Sequence, residues 1–212
     1  MKLLLNISSF SILIPVFLGI FFFRRLAKDL KVFLLYLVFS LLVEIINFYL
    51  SLKDISNIWV FHFYTLAEYS LLVWVFSFWQ KRTELRRILR TSVIGFALIW
   101  LTAKLFIEDL SSFDSFTASL EGILLVGISA YTLYELSKDE ASIIYKVPRF
   151  WIASAILIYF TGNMMILAFG NTIITEMEKA WTIQWIVNIL TNLCYTGGFL
   201  CLQRRRKSFG LS

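Results

Sequence analysis

Two carboxylates and one imidazole carry the reactive chemistry of this sequence: Glu44, Glu68 and His62, the only histidine among 212 residues. Each lies in a long apolar run. An ionised acid at mid-membrane depth costs about 2.5 to 3.5 kcal/mol on insertion scales, so both acids must be paired, hydrated or protonated. A third acid and five amides stand in similar runs: Glu121, Asn47, Asn163, Gln184, Asn188 and Asn192. Such a set can hold a proton or hydrogen-bond a small polar solute. It offers no nucleophile–base pair and no metal set, so no catalytic residue, metal or cofactor is assigned. Cys194 and Cys201 share one helix about 10 Å apart, too far for a disulfide.

Helical spacing groups these residues into faces. Gln184, Asn188, Thr191, Asn192 and Tyr195 fall within an arc of roughly 100° on the last apolar segment. Ser40, Glu44, Asn47 and Ser51 follow one face of the second segment, and His62, Thr65, Glu68 and Tyr69 span roughly 120° of the third. Thr117, Glu121, Ser129 and Thr132 line one side of the fifth, and Trp151, Ala155, Tyr159 and Asn163 form a row on the sixth. Polar stripes of this kind cannot face lipid. The expectation is a polar pocket among the second, third, fifth, sixth and seventh segments, opening to the outer side. The structural alternative is that amides and hydroxyls bond neighbouring helices, at about 0.6 kcal/mol each.

The elements that must position these residues are membrane spans. Mean hydropathy is +0.77 and charged residues make up 16% of the chain, against about 25% in soluble domains. Apolar runs of about 20 residues, enough for a 30 Å hydrocarbon core, recur at 7–23, 32–51, 57–79, 90–107, 115–136, 149–169 and 181–202. The predicted fold is all-α and polytopic: one domain over 1–212 with seven transmembrane helices. The segments after the first, third, fifth and seventh runs hold 16 of the 20 basic residues, ending in Arg204, Arg205, Arg206 and Lys207. By the positive-inside rule the N-terminus is outside and the C-terminus cytoplasmic. Glu108, Asp109, Asp114, Glu176 and Glu178 then lie outside. The net charge of +6 is thus a topology signal and predicts contact with anionic lipid, with no nucleic-acid partner. The N-terminus has the charge order of a signal peptide but no small-residue cleavage pattern, so it is kept as the first span, with Pro15 near its middle.

Runs 7–79 and 115–202 match in direction about a linker helix at 90–107, a 3+1+3 plan similar to the parallel-repeat sugar transporters, although no Pro-Gln pair is present. The chain also resembles the small seven-helix inner-membrane proteins of bacteria through His62-Phe-Tyr-Thr-Leu-Ala-Glu68-Tyr, Leu120-Glu121-Gly-Ile-Leu and Trp151-Ile-x-x-x-Ile-Leu-Ile-Tyr159-Phe-x-Gly162-Asn163. That resemblance implies seven spans in the cell's inner membrane and brings no activity with it. Microbial rhodopsins are excluded because 181–202 contains no lysine, and ceramidase-like zinc hydrolases because there is one histidine. The leading expectation is a small secondary transporter with Glu44, Glu68 and His62 as its ionisable centre. The alternatives are a sensor or receptor subunit signalling through a separate membrane or cytoplasmic partner, and a structural subunit of a membrane complex.

Overall fold

The computed structural model describes the backbone of residues 2–111, 115–138, 143–170 and 177–207, with side chains over 3–111, 115–138, 143–164 and 181–202. Asp114 and Glu176 lie outside the described residues, as do the side chains of Glu178 and Arg204 to Lys207. All regular structure among the described residues is helical: α1 (Lys2–Ser11), α2 (Leu13–Phe21), α3 (Lys28–Leu52), α4 (Ile58–Trp79), α5 (Thr83–Phe106), α6 (Phe116–Ser137), α7 (Pro148–Gly170) and α8 (Met177–Lys207). Among the described residues six helices are long and apolar enough to cross a membrane: Leu3–Phe21, α3, α4, α5, α6 and Trp181–Leu202. The chain is a multi-pass membrane protein. The expected sixth span coincides with α7, a helix of 23 residues.

The chain forms two compact units, one of residues 26–124 and one of residues 1–25 with 125–212. The first span is thereby grouped with α7 and α8.

In the 26–124 unit, α4 packs against both α3 and α5. It accordingly carries buried residues from end to end, including Val60, Leu72, Val73, Val75 and Phe76. The α3–α4 turn is tight because α3 ends in a Schellman motif. The Ile55 amide donates to the Leu50 carbonyl at 3.1 Å and the Asp54 amide to Ser51 at 3.3 Å. Asp54 takes the left-handed position (φ 53°) usually given to glycine, which a short polar side chain tolerates. Indole donors pin α4 on either side: Trp79 Nε1 to Asp29 of α3 at 2.7 Å, and Trp100 Nε1 of α5 to the His62 carbonyl at 2.8 Å. The rings of Tyr69 and Phe96 stack at 4.2 Å, closing α4 against α5. The remainder of α5 is apolar and exposed at Ile94, Leu98, Leu101 and Leu105, a lipid-facing surface as its composition predicts.

In the other unit α7 and α8 run antiparallel at close approach, because glycines stand where they meet. A Cβ on Gly162 would lie 2.9 Å from Val187, one on Gly197 3.2 Å from the Trp151 ring, and one on Gly198 3.2 Å from Ile152. The first span packs on α8 and is interrupted at Ile12, between α1 and α2. Pro15 has no N–H to give the Ser11 carbonyl one turn earlier, so the backbone ladder breaks there. The Ser11 hydroxyl turns back to the Ser8 carbonyl at 2.6 Å.

Candidate functional site

The sequence-selected residues divide between the units: Glu44, Asn47, His62, Glu68 and Glu121 fall in one, and Asn163, Gln184, Asn188 and Asn192 in the other.

Glu68 is the centre of the first group. It lies ten residues into α4, about 15 Å along the helix axis and so near mid-membrane, and is 4% exposed. Its Oε1 accepts two phenol hydroxyls, from Tyr36 of α3 at 2.8 Å and from Tyr64 one turn earlier on α4 at 2.9 Å. The Tyr64 hydroxyl also shares a hydrogen bond with Ser40 Oγ at 3.0 Å, and Ser40 donates to the Tyr36 carbonyl at 3.0 Å. Phe39 stacks on Tyr64 at 6.0 Å with the rings nearly parallel, which holds the phenol over the carboxyl. No hydrogen bond to Glu68 Oε2 is found among the described residues. The donors are therefore phenols, where the sequence left pairing, hydration or a proton open.

Tyr36 and Tyr64 escaped the sequence reading because tyrosine in a span is ordinarily an interfacial anchor. Their signal was positional. Tyr64 is four residues before Glu68, Tyr36 is four before Ser40, and both lie well inside their spans.

The other members of this group lie elsewhere in the unit. Glu44 is on an exposed face of α3, among Leu42, Ile45 and Ile46. Asn47, one turn further along α3, is half-buried, and its Oδ1 has no hydrogen-bond partner among the described residues. His62 is fully buried near the N-terminal end of α4, six residues or about 9 Å of helix from Glu68, and within electrostatic reach of Asp109. Glu121 is 2% exposed on α6, within electrostatic reach of Tyr69.

Between α5 and α6 lies an ion pair. Lys104 Nζ is 2.6 Å from Glu108 Oε2 and 3.0 Å from Thr117 Oγ1. Glu108 also caps α6, its Oε1 accepting the Phe116 amide at 2.6 Å and the Thr117 amide at 3.2 Å. Burial alone would push the Glu108 carboxyl up, but these donors, with the Thr117 hydroxyl, hold it below its ordinary value.

The polar stripe of α8 meets the first span at its break. Asn192 Nδ2 donates to Ser11 Oγ at 2.8 Å, and Asn188 Nδ2 to Ser8 Oγ at 3.0 Å. A weaker bond at 3.4 Å links Asn192 to Asn188 Oδ1. Both serines and Asn192 are buried. The expected pocket did not include the first span, yet that span supplies the partners of these amides. Proline explains why: small hydroxylated residues and a broken ladder leave polar atoms in α1 that need donors from a neighbour. Gln184 and Asn163 are half-buried, and Asn163 Oδ1 has no hydrogen-bond partner among the described residues. Within α6, Leu125, Ser129 and Thr132 form a buried row, with Ser129 Oγ unpartnered among the described residues.

Compared with protein-family models, with curated proteins and with solved structures, the chain matches none.

Proposed function

We propose that Glu68 is a reversible proton-binding site and that the protein couples proton uptake there to movement of a small polar solute. On this reading it is a seven-span protein of the cytoplasmic membrane, N-terminus outside and C-terminus inside, akin to the small bacterial inner-membrane proteins it resembles. The observation that carries the proposal is the placement of both phenol donors on one carboxyl oxygen, Oε1. A proton can then add at Oε2 while Oε1 keeps both hydrogen bonds, so the acid changes charge without dismantling the cluster. Ionised, the carboxylate is held by two charge-assisted bonds that offset part of its cost in hydrocarbon. Glu68, Tyr36, Tyr64 and Ser40 form this centre, whereas Asn188 and Asn192 serve to bind α8 to the first span.

Infrared difference spectra of the protein in vesicles, recorded across pH, should show a carboxylic acid carbonyl band that titrates and is missing from Glu68→Gln. Vesicles loaded with a pH-sensitive dye should acidify inside when presented with the transported member of a panel of sugars, amino acids and organic acids. A spectrum with no titrating band assigned to Glu68 overturns the proposal. A titrating band without flux moves the reading to a sensor of pH. For topology, single cysteines placed at Lys53 and Thr83 in a chain lacking Cys194 and Cys201 should react with an impermeant thiol reagent from opposite sides, Lys53→Cys from outside.

A further inference from the structure

The end of α4 and the start of α5 carry a second polar construction, unrelated to Glu68. Residues 81–90 hold five cations, Lys81, Arg82, Arg86, Arg87 and Arg90, against one acid, Glu84. Two of these arginines are anchored to α4. Arg86 Nη2 donates to the Gln80 carbonyl at 3.0 Å, which satisfies the end of the helix. Arg90 is held differently. Its Nε donates at 3.2 Å to Oγ of Ser77, a fully buried residue, and its guanidinium carbon lies 4.9 Å from the Trp74 ring centre and 5.7 Å from that of Phe78.

A guanidinium fixed through Nε and flanked by two aromatic rings has one edge left, the pair of Nη amines, and no hydrogen bond to that edge is found among the described residues. That edge matches two oxygens of a phosphate group. Ser77 is the third-last residue of α4, so the guanidinium stands at the boundary between headgroups and acyl chains. Trp74, one turn deeper, is 42% exposed and offers an apolar surface beneath the charge. A ligand that satisfies both features carries an anionic phosphodiester above hydrocarbon tails.

We propose that Arg90 is the phosphate ligand of an anionic phospholipid site on the α4–α5 face, with Ser77, Trp74 and Phe78 holding its guanidinium in place. The surrounding cations raise the local concentration of anionic lipid, and Arg90 makes the specific contact.

The test is thermal unfolding of the purified full chain in mild detergent, titrated with short-chain phosphatidylglycerol, with phosphatidylcholine and with inorganic phosphate. Phosphatidylglycerol should raise Tm saturably and the other two should not. Arg90→Gln should weaken the apparent affinity about ten-fold, whereas Arg87→Gln, which removes an exposed charge, should change it less than about two-fold. Ser77→Ala keeps every charge but frees the guanidinium, and should cost about three-fold, which guards against misfolding of the Arg90 variant. Equal losses for Arg87→Gln and Arg90→Gln, or wild-type affinity in Ser77→Ala, would overturn the site in favour of a diffuse basic surface. Saturation by inorganic phosphate at the same concentration would overturn it in favour of a free-anion site.

Discussion

The hydroxyl of Tyr36 on α3 lies 2.8 Å from Glu68 Oε1 on α4, so the buried acid of one helix takes one of its two donors from the helix beside it. Removing one donor should cost about 1 kcal/mol, and removing both should cost more than the sum, because the second loss strands a buried acceptor. Tyr36→Phe and Tyr64→Phe, singly and together, should show this in detergent-denaturation curves. Glu68→Leu combined with both phenylalanines should recover most of the loss, since the one polar member that remains, Ser40, keeps its bond to the backbone carbonyl of residue 36. Failure to recover would mean that the tyrosines act through other contacts.

Asn192 and Ser11 are joined across 181 residues of sequence by a 2.8 Å bond. Hydrogen bonds between transmembrane helices average about 0.6 kcal/mol and reach about 1.7. A double-mutant cycle of Asn192→Ala with Ser11→Ala should give a coupling in that range, nearer the upper end because Asn192 and Ser11 are buried. Coupling indistinguishable from zero would remove this pair as the fastening between the first span and α8.

Gly162 should tolerate no side chain. A methyl group there would stand 2.9 Å from a Val187 methyl, and β-branched valine has little rotamer freedom with which to yield. Gly162→Ala should destabilise by about 1 to 3 kcal/mol, and Val187→Ala in the same chain should restore most of it. If Gly162→Ala alone unfolds at the wild-type denaturant concentration, α7 and α8 are less closely packed than described.

Glu108 should give stability a pH dependence of definite sign. Its folded value is lowered from 4.5, so its contribution is fully present above pH 4.5 and disappears as pH falls through the lowered value. Glu108→Gln should cost about 3 kcal/mol at neutral pH by breaking a buried pair with Lys104. The difference between wild type and variant should shrink as both are taken to pH 3. A difference that stays constant with pH would assign the loss to the α6 cap rather than to charge.

The spans were legible because hydrocarbon thickness imposes a length on the sequence: the run expected at 57–79 is the helix Ile58–Trp79, and that at 115–136 is Phe116–Ser137. Helix faces were also legible, as at Thr117 and Glu121, both of which are buried. What faces what was not, since amphipathic periodicity ranks the sides of one helix and carries no information about its neighbour. Asn188 and Asn192 were rightly read as needing partners, yet Ser8 and Ser11 were hidden in an N-terminus otherwise marked by Pro15. Glu108 looked like part of an acidic loop because its bonds to two backbone amides depend on where α6 begins.

The bond between Asn192 and Ser11 also sets an order of events during synthesis. At about 5 to 20 residues per second, the first span leaves the ribosome some ten seconds or more before its amide donors exist. Over that interval the two serines have only nearby carbonyls, the membrane boundary or an insertion factor to engage. A chain cut short before α8 would therefore keep an exposed polar notch in its leading helix, the kind of mark by which quality control recognises an orphaned segment.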